Sequence, residues 1–155
     1  MRIETERELL VNELKTAYFV EKRLLNDLNE MKKVVRNEEL RRLISNHCEQ
    51  TEVHVTRLET VFREIGHYRH ETKSPVIEAL NQNRESFEEI LVPDLREHFY
   101  LNMCVTVERI EITMYERIIH LTETVELDAE IENFLTENLE DEKEALNDLR
   151  KLSEP

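Results

Sequence analysis

Apolar residues recur along most of this chain at alternating steps of three and four, the inward stripe of a packed helix. The first such seam runs Leu10, Leu14, Ala17, Glu21, Leu24, Leu28, Met31, Val35. A carboxylate stands at Glu21, where a leucine is expected. The second reads Leu40, Ile44, His47, Thr51, His54, Leu58, Val61, Ile65, with three consecutive polar residues at inward positions. A third gives Leu101, Val105, Glu108, Ile112, Tyr115, Ile119, with Glu111 on the adjoining edge. The last gives Ile131, Leu135, Asn138, Glu142, Ala145, Leu149, Leu152. Every long seam is interrupted near its middle by a side chain able to bind a metal or a proton.

Start and stop signals divide these seams into helices over about 4–35, 38–65, 75–91, 94–121 and 127–152. Asn37 is placed to cap the second helix, and Gly66 to end it. Ser74 followed by Pro75 opens the short third helix. Asp94 with Glu97 reads as an acidic capping box for the fourth, and a polar turn at Thr122 to Glu126 precedes the fifth. The tail Ser153, Glu154, Pro155 is expected to fray. One glycine and three prolines leave no punctuation for β-hairpins. The reading is all-α: one domain over residues 1–155, an antiparallel four-helix bundle of two hairpins joined by a crossover carrying the short helix.

Facing residues in an antiparallel hairpin have position numbers of roughly constant sum. A turn near Arg36 sets Glu21 opposite Thr51, with His54 within a turn and His47 slightly farther. A turn near Val125 sets Glu108 opposite Glu142. The interruptions therefore coincide in level as well as in phase. Ionised carboxylates sharing one dry layer repel each other and cost several kcal/mol apiece unless protons, cations or a metal offset them. Divalent iron, manganese or zinc bound by Glu and His would satisfy all of them, as in the di-metal sites of ferritin-like bundles. The candidate ligands are Glu21, His47, His54, Glu108, Glu111 and Glu142, with Tyr18, Thr51 and Tyr115 as neighbours able to orient them. The competing reading is a metal-free layer held by hydrogen bonds and salt bridges. Arg57 is expected in solvent or in an interhelical ion pair, while Arg109 could stand in for a cation.

Four blocks carry a family resemblance: ELKTAYFVEKRLL (Glu13–Leu25), HCEQTEVHVTRLETVF (His47–Phe62), VERIEITMY (Val107–Tyr115) and LEDEKEALNDL (Leu139–Leu149). In order and spacing they resemble the YciF/YciE-type, stress-associated ferritin-like proteins across nearly the whole chain. The resemblance implies a helical bundle, often dimeric, with a metal site to which Glu21, His47, Glu108, Glu111 and Glu142 correspond. The first functional expectation for such a layer is stress or redox protection. Two iron or manganese ions would bind and activate oxygen or peroxide, the small-molecule substrate of a di-metal oxidase type of activity. The chain departs from the family pattern at Gln50 and Arg109, which replace a glutamate and a histidine. Gln82 and Asn83 stand where acids are usual. The alternative is a metal-free dimeric scaffold.

The net charge of −14 argues against nucleic acid and against anionic membrane surfaces. It fits either a salty cytoplasm or an ordinary acidic bundle. The N-terminal sequence lacks the apolar core of a signal peptide, and no run is long enough to span a membrane, so a cytoplasmic location is expected. Cys48 and Cys104, without a C-x-x-C pairing, read as reduced core fillers. No loop is available to carry a Ser/His/Asp or Cys/His nucleophile.

Overall fold

In a computed structural model, which describes residues 2–154, the chain forms five helices: α1 (Glu6–Val34), α2 (Glu38–Glu64), α3 (Pro75–Ile90), α4 (Pro93–Val125) and α5 (Ala129–Ser153). No strand occurs among the described residues. The antiparallel hairpins α1–α2 and α4–α5 pack with α1 against α4 and α2 against α5. The segment between the hairpins leaves the lower end of the bundle, where the Thr72 N–H donates to the Lys15 carbonyl at 3.1 Å. It climbs through α3 and delivers α4 to the upper end. There the Glu97 carboxylate accepts from the backbone N–H groups of Arg36 and Asn37 at 2.8 and 3.1 Å.

Local chemistry explains most helix ends. Thr5 and Glu8 form a reciprocal capping box on α1, and the Asn37 side chain accepts from Leu40 N at the start of α2. Ser74 caps α3, with Pro75 in its first turn. At the end of α2, His67 N–H bonds to the Phe62 carbonyl (2.9 Å) and Gly66 N–H to that of Arg63 (3.1 Å). This Schellman closure needs a left-handed residue, and Gly66 supplies it at φ 69°.

Two helix ends differ from the sequence expectation. Helix α4 begins at Pro93, and its N-cap, Val92, makes no side-chain capping bond. Glu97, expected to cap α4, is instead engaged by the α1–α2 connection. The expected turn at Thr122 to Glu126 is helical as far as Val125. It closes with Leu127 N–H on the Thr122 carbonyl (3.2 Å) and Glu126 in the left-handed region at φ 55°. A non-glycine residue makes this second closure, which composition alone does not signal. Of the tail, Ser153 is the last helical residue, and Pro155 lies outside the described residues.

The core is divided into two apolar clusters. The lower one contains Leu10, Leu14, Leu58, Phe62, Ile118 and Leu135, and the upper one Leu28, Met31, Leu40, Ile44, Tyr100 and Leu149. Between them lies the layer in which the four seams change from leucine to acid and imidazole.

Candidate metal centre

Each long helix contributes to this layer through residues three or four apart, which share one helical face. Helix α1 supplies Glu21; α2 supplies His47, Thr51 and His54; α4 supplies Glu108, Glu111 and Tyr115; α5 supplies Asn138 and Glu142. All of them are buried, and Glu21, His54, Glu111 and Glu142 are completely sealed from solvent.

His47 Nε2 lies 3.1 Å from Glu108 Oε1, 3.9 Å from Glu142 Oε2 and 4.0 Å from Glu111 Oε2. Two turns farther along α2, His54 Nδ1 lies 3.0 Å from Glu142 Oε1 and 3.2 Å from Glu21 Oε1. Two groups result. Ligand atoms of His47, Glu108, Glu111 and Glu142 fall within 4.8 Å of one another, and so do those of Glu21, His54 and Glu142. Glu142 belongs to both, with one oxygen turned to each.

Around the second group runs a hydrogen-bonded support. The Tyr115 hydroxyl donates to Glu21 Oε1 and accepts from Asn138 Nδ2 at 3.0 Å. The outer nitrogen of His54, Nε2, sits 3.1 Å from Asp141 Oδ2. Arg57 Nη1 bonds that same oxygen at 2.8 Å and Asn138 Oδ1 at 3.0 Å. A carboxylate on the outer nitrogen orients the ring and turns Nδ1 inward, an arrangement common to metal-binding histidines.

The electrostatics are those of acids confined together. Burial, with Glu142 and Glu111 nearby, raises the pKa of Glu108 well above the ordinary carboxylate range. Burial, with Glu142 and Glu21, does the same to Glu111. Burial alone would lower the His54 pKa, but Glu21 and Glu142 outweigh it and lift it to about 11. Glu142 would likewise be raised by burial, yet His54 and His47 hold it down at about 2. Confinement thus favours the protonated forms of Glu108 and Glu111, beside Glu142 and His54 at 3.0 Å from each other.

These protons do not complete the hydrogen bonding. Glu21, His47, His54, Glu108, Glu111 and Glu142 each retain at least one buried oxygen or nitrogen with no aligned hydrogen-bond partner. Orphaned buried atoms of this kind are uncommon and call for a reason when they cluster. The donor set of four carboxylates and two imidazoles suits divalent iron or manganese, and a metal would take up these lone pairs. The residues fit the group.

Three expected neighbours of the site prove different. Tyr18 does not reach Glu21; its hydroxyl donates to Glu59 at 2.8 Å and its ring packs edge-on against Phe62. Helical side chains lean toward the N-terminus. Tyr18 precedes Glu21 and leans away from the layer, whereas Tyr115 follows Glu111 and leans back into it. Thr51 is fully buried at this level, but its hydroxyl donates to the His47 carbonyl of its own helix at 2.8 Å. Arg109 is exposed and supplies no cation to the core. Arg57 forms the interhelical ion pairs expected of it, with Asp141 and Glu137.

Sequence reasoning missed Asp141, which lies beside the α5 seam and not on it. The available signal was the pairing of His54-x-x-Arg57 with Asn138-x-x-Asp141 across α2 and α5. It also missed a second polar cluster, where Arg84 of α3 lies 3.6 Å from both Asp27 and Glu30 of α1 and bonds Glu88 at 2.9 Å. Cys48 and Cys104 are free and buried; burial raises the pKa of both thiols, that of Cys104 to about 12.

Fold and layer together define a ferritin-like helical bundle. Over residues 5–155 the chain matches the family described as "Domain of unknown function (DUF892)", and it belongs to that family. YcfI of Rhodopseudomonas palustris has a similar structure, with 28% sequence identity, a TM-score of 0.90, and coverage of 96% of this chain and 94% of that one. The E. coli stress protein YciF superposes with a TM-score of 0.86 at 23% identity, covering 97% and 95%. The Xanthomonas campestris protein XCC3681 follows at 0.77 and 18%, covering 95% and 90%. The YciF-type resemblance of the four sequence blocks agrees with these matches. No functionally curated protein matches the chain.

Proposed function

We propose that this protein binds two divalent ions, iron or manganese, in the layer between its two apolar clusters and acts in stress or redox protection. One observation carries the reading: six buried ligand-type side chains, each with an unsatisfied atom, form two groups that share Glu142. His47, Glu108 and Glu111 would hold one ion, Glu21 and His54 the other, with Glu142 common to both. Such a pair of ions supplies one-electron steps toward oxygen or peroxide. The protein's own part is to exclude water, to orient His54 through Asp141 and Glu21 through Tyr115, and to release the protons held on Glu108, Glu111 and His54. The name of the E. coli neighbour, a stress protein, supports the physiological side of the reading.

Anaerobic loading with iron(II) or manganese(II), dialysis and metal analysis test it. Two ions per chain are expected, and less than stoichiometric retention overturns the reading.

A metal-free scaffold is favoured by a separate observation, the Tyr115, Asn138 and Arg57 hydrogen bonds that brace the layer without a metal. Under that reading Glu21→Leu is neutral or stabilising in chelator, and adding metal changes nothing. A homodimer is supported by the exposed apolar residues Phe87, Ile90, Val92 and Leu95 at the α3–α4 junction, with Ile90 74% exposed. Two free thiols fit a reducing cytoplasm.

A further inference from the structure

Two openings reach His47 and Glu108 from outside the layer, and they differ in character. One is a cleft of about 100 Å³ between α2 and α5. Asn46, Gln50, Glu144 and Asp148 line its outer part, and His47 and Glu108 its floor. The other is a cavity of about 30 Å³ under α3, walled by apolar side chains such as Leu24, Met31 and Met103 and bordered by Arg84.

From these features we infer that the α2–α5 cleft is the passage by which a divalent cation reaches the buried layer, with Glu144 and Asp148 gathering it at the mouth and Gln50 lining the way in. This inference rests on the two-ion reading of the layer. The observations behind it are independent of one another. His47 and Glu108 are more than nine-tenths buried, yet His47 Nδ1 and Glu108 Oε2 have no hydrogen-bond partner, and both residues form the cleft floor. His47 keeps 6% of its surface accessible, whereas His54 in the adjoining group keeps none. An ion therefore meets His47 first.

Charge separates the two routes. Glu144 has no ion-pair partner among the described residues, and Asp148 meets only Lys151, at 3.3 Å on the exposed side. Carboxylates at the mouth of a low-dielectric cleft concentrate cations and accelerate their arrival. The α3-side cavity is smaller, about 30 Å³. Apart from Glu108, its lining carboxylate is Asp27, buried and already paired with Arg84 at 3.6 Å, so no free acid stands at that entrance to gather a cation. Gln50 is compatible with this role, since a neutral amide can ligate a passing ion without trapping it as a carboxylate would.

Cobalt(II) uptake by the full-length metal-free protein, followed by stopped-flow visible absorption, tests the inference. The double variant Glu144→Gln/Asp148→Asn should take up cobalt about ten-fold more slowly at low ionic strength, with the difference shrinking as salt is added. Ala145→Phe, which narrows the cleft, should slow uptake to a similar degree. Both should bind the same final number of ions as the unaltered protein. Met103→Phe, which fills the α3-side cavity, should leave the rate unchanged. The passage is overturned if the charge variant matches the unaltered protein in rate, or if Met103→Phe alone slows uptake. Failure of the unaltered protein to bind cobalt would instead remove the two-ion reading itself, and that is seen before any cleft variant is measured.

Discussion

Glu142 and His54 meet across α5 and α2 with 3.0 Å between Oε1 and Nδ1, while the second oxygen of the same carboxylate faces His47 at 3.9 Å. One side chain thus joins two groups of ligands that otherwise share no residue. Substitutions at Glu142 and Glu21 should consequently differ in kind. Glu142→Gln removes a ligand from both groups and should abolish tight binding, whereas Glu21→Gln should leave one ion per chain. Metal analysis after dialysis distinguishes them; equal losses would contradict a shared Glu142.

Protonation sets the pH dependence of the metal-free protein. Glu108 and Glu111 have raised folded pKa values, so their contribution is complete below about 4.5, the ordinary value, and is lost as pH rises through the folded ones. His54 behaves alike between 6.5 and about 11. Glu142, depressed to about 2, contributes above 4.5 and loses that contribution as pH falls. Stability in chelator should therefore decline from about pH 5.5 to about pH 8, each retained proton contributing up to about 1.4 kcal/mol per pH unit. Manganese should reverse the slope, because an ion replaces protons that alkaline pH removes. Urea midpoints at the two pH values, with and without metal, measure both signs.

Tyr115→Phe deletes a fully buried hydroxyl that donates to Glu21 and accepts from Asn138. The loss should be about 1–3 kcal/mol in the metal-free protein. Tyr18→Phe breaks a bond to the half-buried Glu59, outside the layer, and should leave metal binding unchanged. Denaturation and metal titration of the pair separate a support of the site from a residue that merely shares its helix.

Glu126 adopts φ 55° at the α4–α5 turn, where a side chain is disfavoured. Glu126→Gly should stabilise the protein by about 0.5–1 kcal/mol, since the Schellman closure at this point favours glycine. Thermal unfolding measures it, and the core layer lies far enough away for metal binding to stay as it was.

The layer was legible in the sequence because helical phase and hairpin level are both simple arithmetic. Glu108 and Glu142 could be matched by number alone, and Glu21 could be set at the level of Thr51 with His54 within a turn. The sequence was a poorer guide where the outcome depended on direction or on a partner outside the seam. Tyr18 and Tyr115 are each one turn from a glutamate, yet opposite helical leans send only Tyr115 into the layer. Asp141 escaped notice because a group that orients a ligand need not face the core. Glu97 looked like a cap from its spacing to Asp94, but two backbone N–H groups of the neighbouring connection bind it more favourably than the first turn of its own helix. The end of α4 was hidden for another reason: a glutamate occupies the left-handed position that glycine usually marks.

The division of the core has a consequence for how the bundle finds its alignment. Leucine seams alone tolerate sliding, because displacing a helix by one turn, about 5.4 Å, brings another leucine into place. Here the same displacement would set a carboxylate among aliphatic side chains and leave an imidazole facing none of its acids. The polar belt therefore acts as a vernier on four otherwise interchangeable stripes, and it selects a single longitudinal setting for the helices before any ion arrives.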